Sequence, residues 1–231
     1  MVSSQDAATA VALTELGYDV KPVTEVLNVS KGLPAEGKLE VRDILLAVNG
    51  QKVTTSQQVV DLVDKTPPGD AVSFLVRRGT RQLTVVVKPK TVDGDPRVGV
   101  TTGPGYVFPF QIRVDIPDNI GGPSAGLMFS LAIYDTLTPG SLTGGAIVAG
   151  TGTIDTTGAV GPIGGIQQKV VAARQSGAKI FLVPADNCAD ALGAPNDGMR
   201  LVKVTTMHDA RESIAAWVKD HDVALPSCEE K

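Results

Sequence analysis

Two cysteines, two histidines and one tryptophan are a thin supply of the side chains that carry metals, redox chemistry and stacking in a chain of 231 residues. Cys188 and Cys228 are too far apart for a C-x-x-C pair and too few for a zinc site, so neither metal nor cofactor is expected. No stretch reaches the roughly 18 apolar residues needed to cross a bilayer. No G-x-x-x-x-G-K-[ST] phosphate loop occurs, and there is no long repeat or low-complexity tract. Arg77, Arg78 and Arg81 flank a predicted hairpin turn without aromatic neighbours, which suits a solvated edge rather than a nucleic-acid surface.

What remains is an ordinary globular composition, 42% hydrophobic and 20% charged, enough for two modest cores. Ser3 to Tyr18 reads as an alanine-rich amphipathic helix carrying Asp6 and Glu15, not as a signal peptide. Strands are predicted at Lys21 to Leu27, Val41 to Gly50, Ala71 to Arg77 and Gln82 to Lys88, with Asn49-Gly50 as a tight turn. Thr55 or Ser56 can cap a helix carrying Val59, Val60, Leu62 and Val63. This stretch is basic, with 11 Lys and Arg against 7 Asp and Glu from Val20 to Lys90. Lys90 to Arg97, with Gly94 and Pro96, reads as a linker. Beyond it, strands are predicted at Val107 to Ile116, Gly145 to Ile154, Ala178 to Val183 and Arg200 to Thr205. Helices follow Ser124, surround Lys169 and run from Met207 to Val218, where Trp217 packs onto the sheet. The sum is an α+β chain divided at 1–19, 20–90, 91–97, 98–220 and a tail at 221–231.

Ser124 stands in Gly121-Gly122-Pro123-Ser124-Ala125-Gly126, ahead of a helix that is apolar nearly all round. Pro123 suits a first turn, where its missing N–H would be unpaired anyway. Ser124 then sits where free N–H groups, its own and that of Ala125, and the positive end of the helix dipole can stabilise an oxyanion. The plainer reading is a serine capping a core helix. Lys169 closes Pro162-Ile163-Gly164-Gly165-Ile166-Gln167-Gln168-Lys169. On a helix from Gly165 to Gly177 it shares the apolar stripe of Ile166, Val170 and Ala173. An ordinary lysine, with a pKa of about 10.4, is almost wholly protonated at pH 7 and cannot accept a proton. Burial disfavours the ammonium and would make the amine a usable base. The plainer reading is a stem lying along the core with its head in water. Thr151, after the apolar run Ala146 to Ala149, is a strand-end hydroxyl or simply a turn threonine.

Gly122-Pro123-Ser124-Ala125-Gly126 also fits the G-x-S-x-G elbow of α/β-hydrolases, with Asp186, Asp190 and Asp197 ahead of His208 in the required order. Length opposes this reading, because about 130 residues are too few for a large doubly covered parallel sheet. His208 also follows Thr206, an apt N-cap, and precedes Asp209, Arg211 and Glu212, the composition of an exposed first turn. His221 reads as tail.

The run GGPSAG, the segment Gly150-Thr151-Gly152-Thr153-Ile154 and PIGGIQQK, in that order, resemble the proteolytic domain of Lon proteases from about Arg97 to Val218. The resemblance implies a serine endopeptidase without histidine: Ser124 the nucleophile, Lys169 the base and then the acid, Thr151 the supporting hydroxyl. It departs at Gly121, where the family often has an acidic residue, and no ATPase module is present, so ATP-independent cleavage is expected. From Val20 to Pro89 the pattern P-A-x-x-x-L-x-x-x-D-I-L-x-x-V-N-G, beginning at Pro34, resembles a PDZ domain of the bacterial type. That implies capture of an extended peptide, or a structural or gating role. The glycine-hydrophobic loop that grips a carboxylate would precede the first strand, where Leu16-Gly17-Tyr18 is available.

The pairing of the two domains resembles bacterial proteases with an N-terminal transmembrane anchor that face outside the cytoplasm, with this chain a piece of the longer protein. It also implies protein or peptide substrates and assembly into a ring, often a hexamer. A silent PDZ-containing scaffold is the competing expectation. In an oxidising compartment Cys188 and Cys228 would bridge and pin the tail; in a reducing one they are free thiols.

Overall fold

The computed structural model describes residues 2–92, 94–110, 112 and 122–229. It divides into two compact units, one formed by residues 21–107 and the other by 1–20 together with 108–231. The chain opens with α1 (Val2–Glu15), which belongs to the second unit. From Asp6 to Leu13 it is buried on every side, Asp6 and Thr9 included. The helix expected there as amphipathic is therefore enclosed along this stretch. Small alanines let it approach its neighbours closely, and Ala7, Ala8 and Val11 enter the same cluster as Leu127, Leu131 and Ile214.

Among the described residues, the unit from Lys21 to Val107 is an antiparallel sheet with one helix packed against it. Its strands are β1 (Lys21–Val29), β2 (Ile44–Val48) and β3 (Gln51–Lys52). After α2 (Ser56–Asp64) come β4 (Val72–Arg78), β5 (Arg81–Val87), a hairpin of β6 (Lys90–Val92) and β7 (Asp95–Arg97), and β8 (Val100–Val107). The order is β5-β4-β2-β1-β8, with β3 beside β2. Asn49 and Gly50, at φ 48° and 77°, form the tight turn between β2 and β3 that the Asn-Gly pair predicts. Thr55 and Gln58 make a capping box, and Val59 and Val63, one turn apart, bury the inner face of α2. Val72, Phe74 and Val76 alternate inward from β4. Arg78 is not a solvated edge residue. It binds fully buried Asp43 through Nε and Nη2 at 2.7 Å each, and Glu40 through Nη1.

Two expected boundaries move. Lys90 to Arg97 is a hairpin, not a linker, and residues 98–107 join the first unit because β8 pairs antiparallel along the outer edge of β1. The strand expected at Val107 to Ile116 lies mostly outside the described residues, and Val107 itself ends β8.

The second unit continues with a 3₁₀ turn (Pro123–Ala125), α3 (Gly126–Leu137), β9 (Val148–Gly150), β10 (Thr153–Ile154) and β11 (Val160–Gly161). Then follow α4 (Ile166–Gln175), β12 (Ile180–Pro184), α5 (Cys188–Ala191), β13 (Arg200–Val204) and α6 (Met207–Lys219). The single strand expected at Gly145 to Ile154 is split into β9 and β10. The parallel sheet β13-β12-β9 is covered by α3 and α6 through Leu127, Leu182, Val202, Val204 and Trp217. A second cluster fixes α4 to β12 through Ile166, Val170, Ala173 and Phe181. Cys188 and Cys228 form a disulfide, while Ser227 bridges to Val202 and ties the tail along β13. His221, read as tail, stacks on Trp217 at 4.4 Å.

Candidate active site

Three sequence-distant side chains meet where α3, α4 and the end of β9 converge. Gly122 turns the chain at φ +95°, a conformation that favours glycine. Pro123 then begins the 3₁₀ turn that places Ser124 just ahead of α3. Gly126 is required by packing: a Cβ there would come 2.8 Å from Ile154 Cγ2. Gly122 and Gly126 thus serve different ends, one conformation and the other close approach.

Lys169 arrives from the first turns of α4, which starts after Gly165 at φ +69°. Ile166, Val170 and Ala173 are buried beside it, so the stripe foreseen from periodicity exists and Lys169 lies on it half-buried. Its Nζ is 3.0 Å from Ser124 Oγ and 3.1 Å from Thr151 Oγ1. Burial pushes the Lys169 amine below its ordinary value of 10.5. Thr151, 3% exposed, donates its hydroxyl to the Ser124 carbonyl at 2.9 Å. The Gly152 N–H donates to the same carbonyl at 2.9 Å, and the Gly152 carbonyl accepts from the Leu127 N–H at 3.1 Å. The sequence reading missed this backbone clasp between the serine turn and the Thr151-Gly152 segment; a Cβ at Gly152 would lie 2.6 Å from Val160 Cγ1, the steric signal for glycine there.

The hydrolase candidates do not assemble around Ser124. His208 Nδ1 is 2.7 Å from Glu15 Oε1, and Arg211 Nε donates to the same oxygen at 2.7 Å. Both partners hold the Glu15 carboxyl below its ordinary value against the opposing effect of burial. Asp197 pairs with Arg174, Asp186 lies in the turn after β12 and Asp190 in α5. No cluster of three or more His, Cys, Asp or Glu able to hold a metal occurs among the described residues. Gly121 lies outside them.

The comparisons with known proteins divide as the structure does. Residues 109–218 match the family model of the Lon protease (S16) C-terminal proteolytic domain, and residues 25–78 match that of the PDZ domain. The chain is 34% identical over 131 residues to the Lon protease of Campylobacter jejuni, covering 54% of this chain and 16% of that protein. It is 34% identical over 107 residues to Lon protease 2 of Bacillus subtilis, covering 46% and 19%, and 40% identical over 110 residues to the Lon protease of Paraburkholderia phytofirmans, covering 45% and 13%. It therefore spans less than a fifth of the length of these relatives. Among solved structures it is similar to the PDZ domain of an SdrC-like protein from Listeria monocytogenes, at 24% identity and a TM-score of 0.32, covering 35% of this chain and 86% of that one. The solution structure of the second domain of a Listeria protein is similar at 29% identity and 0.32, covering 37% and 84%. The chain is an α+β protein that joins a PDZ domain to a Lon-type proteolytic domain.

Proposed function

We propose that the chain is a serine endopeptidase in which Ser124 and Lys169 act as a dyad on peptide bonds of protein substrates, without ATP. The observation that carries this reading is the lysine amine on the apolar face of α4, 3.0 Å from Ser124 Oγ, with its pKa lowered by burial. A neutral amine has two N–H groups and one lone pair. Because the Thr151 hydroxyl is committed to the Ser124 carbonyl, its oxygen accepts an N–H from Lys169, which leaves the amine lone pair for the serine proton. Ser124 Oγ attacks the scissile carbonyl as Lys169 takes that proton, and the first-turn N–H of Ser124 is placed to stabilise the oxyanion. The resulting ammonium protonates the departing amine, and water, activated by the amine so regenerated, hydrolyses the acyl-enzyme.

In this proposal the PDZ domain captures or regulates substrate. The full-length protein is anchored in a membrane outside this chain, with these domains outside the cytoplasm, and assembles as a ring. The Cys188–Cys228 disulfide supports an oxidising location. Among the described residues no helix is long and apolar enough to cross a membrane.

The test is cleavage of an unfolded protein without ATP, with products read by mass spectrometry, for wild type and for Ser124→Ala, Lys169→Ala and His208→Ala. Loss with the first two alone supports the dyad. Loss with His208→Ala as well would return the hydrolase reading, and an inert wild type would favour a scaffold.

A further inference from the structure

Asn187 stands where it could cap a helix and does not cap it. It ends the turn after β12, immediately ahead of α5, and asparagine is among the favoured N-cap residues, yet its side chain makes no capping bond there. It is 5% exposed and faces Ile163 instead. Asn187 Oδ1 accepts from the Ile163 N–H at 2.8 Å, and Asn187 Nδ2 donates to the Ile163 carbonyl at 3.1 Å. A side-chain amide can do this because it carries an acceptor and donors together. Ile163 is thereby held as a residue in an antiparallel ladder is held by the strand opposite.

This clasp fixes the approach to α4. Ile163 is separated from Ile166, the first residue of the helix, by Gly164 and Gly165 alone. Both glycines are exposed; Gly165 has φ +69°, and a Cβ at Gly164 would meet nothing within 4 Å. Among the described residues α4 starts with no side-chain cap. Lys169 follows Ile166 by about one turn, so a displaced helix start is carried to its Nζ. Asn187 in turn has rigid neighbours. β12 is buried at all five residues, and Cys188 is bound to Cys228. β12 also places the threonine, because Leu182 pairs with Gly150 in the sheet and its carbonyl accepts from the Thr151 N–H at 3.3 Å. One buried strand thus sets two of the three groups of the site, Thr151 through the backbone and Lys169 through Asn187. A further link from α4, Gln167 Nε2 to the Asp190 carbonyl at 3.1 Å, is exposed.

We propose that Asn187 is a positioning residue for Lys169: by clasping Ile163 to the end of β12 it sets the start of α4 and keeps the amine within reach of Ser124 Oγ. The proposal rests on the dyad reading given above and adds to it a residue that touches neither substrate nor reacting atoms. Without the clasp the two glycines let the helix start shift. The 3.0 Å approach of Nζ to Ser124 Oγ then lengthens, and water reaches the amine.

The test compares the wild-type chain with Asn187→Leu, which keeps most of the bulk and has no polar side-chain atom. Asn187→Ala removes the same two bonds without the bulk, should leucine prevent folding. Gln167→Ala, which cuts only the exposed link, is the control, and circular dichroism shows that each chain is folded at the assay temperature. Both Asn187 variants are expected to lower kcat on a short peptide by about 10-fold to 10²-fold, the scale of a small misplacement of a reacting group, with KM changed less than about twofold. In an NMR titration of ¹³Cε-labelled lysine their Lys169 signal is expected to move up towards 10.5, because the amine is hydrated. Gln167→Ala is expected to change neither. A folded Asn187→Ala chain with wild-type kcat and a wild-type Lys169 titration would overturn the positioning role and leave the dyad standing. A Lys169 titration that moves in the Asn187 variants while wild type cleaves nothing would keep the positioning and remove the dyad. An equal fall of kcat in Gln167→Ala would overturn the proposal, since any loosening of α4 would then suffice.

Discussion

The two units build their sites from different materials. In the Lon-like unit the candidate site consists of side chains: a hydroxyl, an amine and a second hydroxyl, delivered by a 3₁₀ turn, a helix and a strand end whose neighbours fall in two core clusters. In the PDZ unit a cavity of about 350 Å³ between α2 and β8 is walled mainly by aliphatic side chains, Leu33, Val59, Val60, Val63, Val98 and Val100, beside the backbone of a turn and an open strand edge. The first kind of site is carried by residue identity. The second is carried by backbone direction, which many sequences can encode.

That comparison is tested most severely at the dyad. Ser124→Ala and Lys169→Ala are each expected to reduce kcat/KM by at least about 10³-fold, and the double variant is expected to fall little further, because the pair acts as a unit. Equal loss from a PDZ variant such as Val60→Glu, measured on a short peptide, would mean that the two sites do not operate separately.

The disulfide comes next. Cys188 and Cys228 close a 40-residue separation, so replacing both with serine is expected to lower stability by about 4 kcal/mol in the chain-entropy model, read by denaturant unfolding. Arg78→Ala leaves Asp43 buried without its partner and is expected to cost the PDZ unit about 3 kcal/mol. If both substitutions shift a single common transition, the two units unfold together. Thr151→Val is the finest probe. Removing the hydroxyl frees the Lys169 amine to rotate, with an expected loss of about 10²-fold in kcat, whereas Thr151→Ser should retain most activity and thermal stability.

The legibility of the sequence follows the same division. The stripe of Ile166, Lys169, Val170 and Ala173 was readable because helical periodicity reports burial. Thr55 and Thr206 were readable as caps because capping is a local hydrogen bond, and both make capping boxes in the structure. Cys188 and Cys228 left bridge and thiol open, since only the fold decides whether two distant cysteines meet. Failures arose where a strand or helix found a distant partner. Lys90 to Arg97 looks like a linker through Gly94 and Pro96, yet it forms a hairpin feeding β8. Asp6 and Glu15 mark the first helix as amphipathic, whereas α1 is enclosed from Asp6 to Leu13, with Glu15 held by His208 and Arg211. Arg78 carries a charge that local sequence assigns to solvent, and only the fold brings it to Asp43.

Acid–base linkage gives the direct test of the central claim. Lys169 has a lowered pKa, so between its folded value and the ordinary 10.5 the unfolded chain keeps a proton that the folded chain has lost. Stability from this group therefore rises with pH across that window and falls as pH drops through the folded value. Catalysis follows the same protonation, because only the neutral amine accepts the Ser124 proton. The measurement is an NMR titration of ¹³Cε-labelled lysine in the wild-type chain, with the Lys169 signal assigned by its absence in Lys169→Met, set beside the pH dependence of kcat/KM on a peptide substrate. The account predicts that the Lys169 signal titrates below the ordinary lysine value of 10.5, with kcat/KM rising over the same range. A Lys169 signal that titrates at the ordinary lysine value of 10.5 would contradict it.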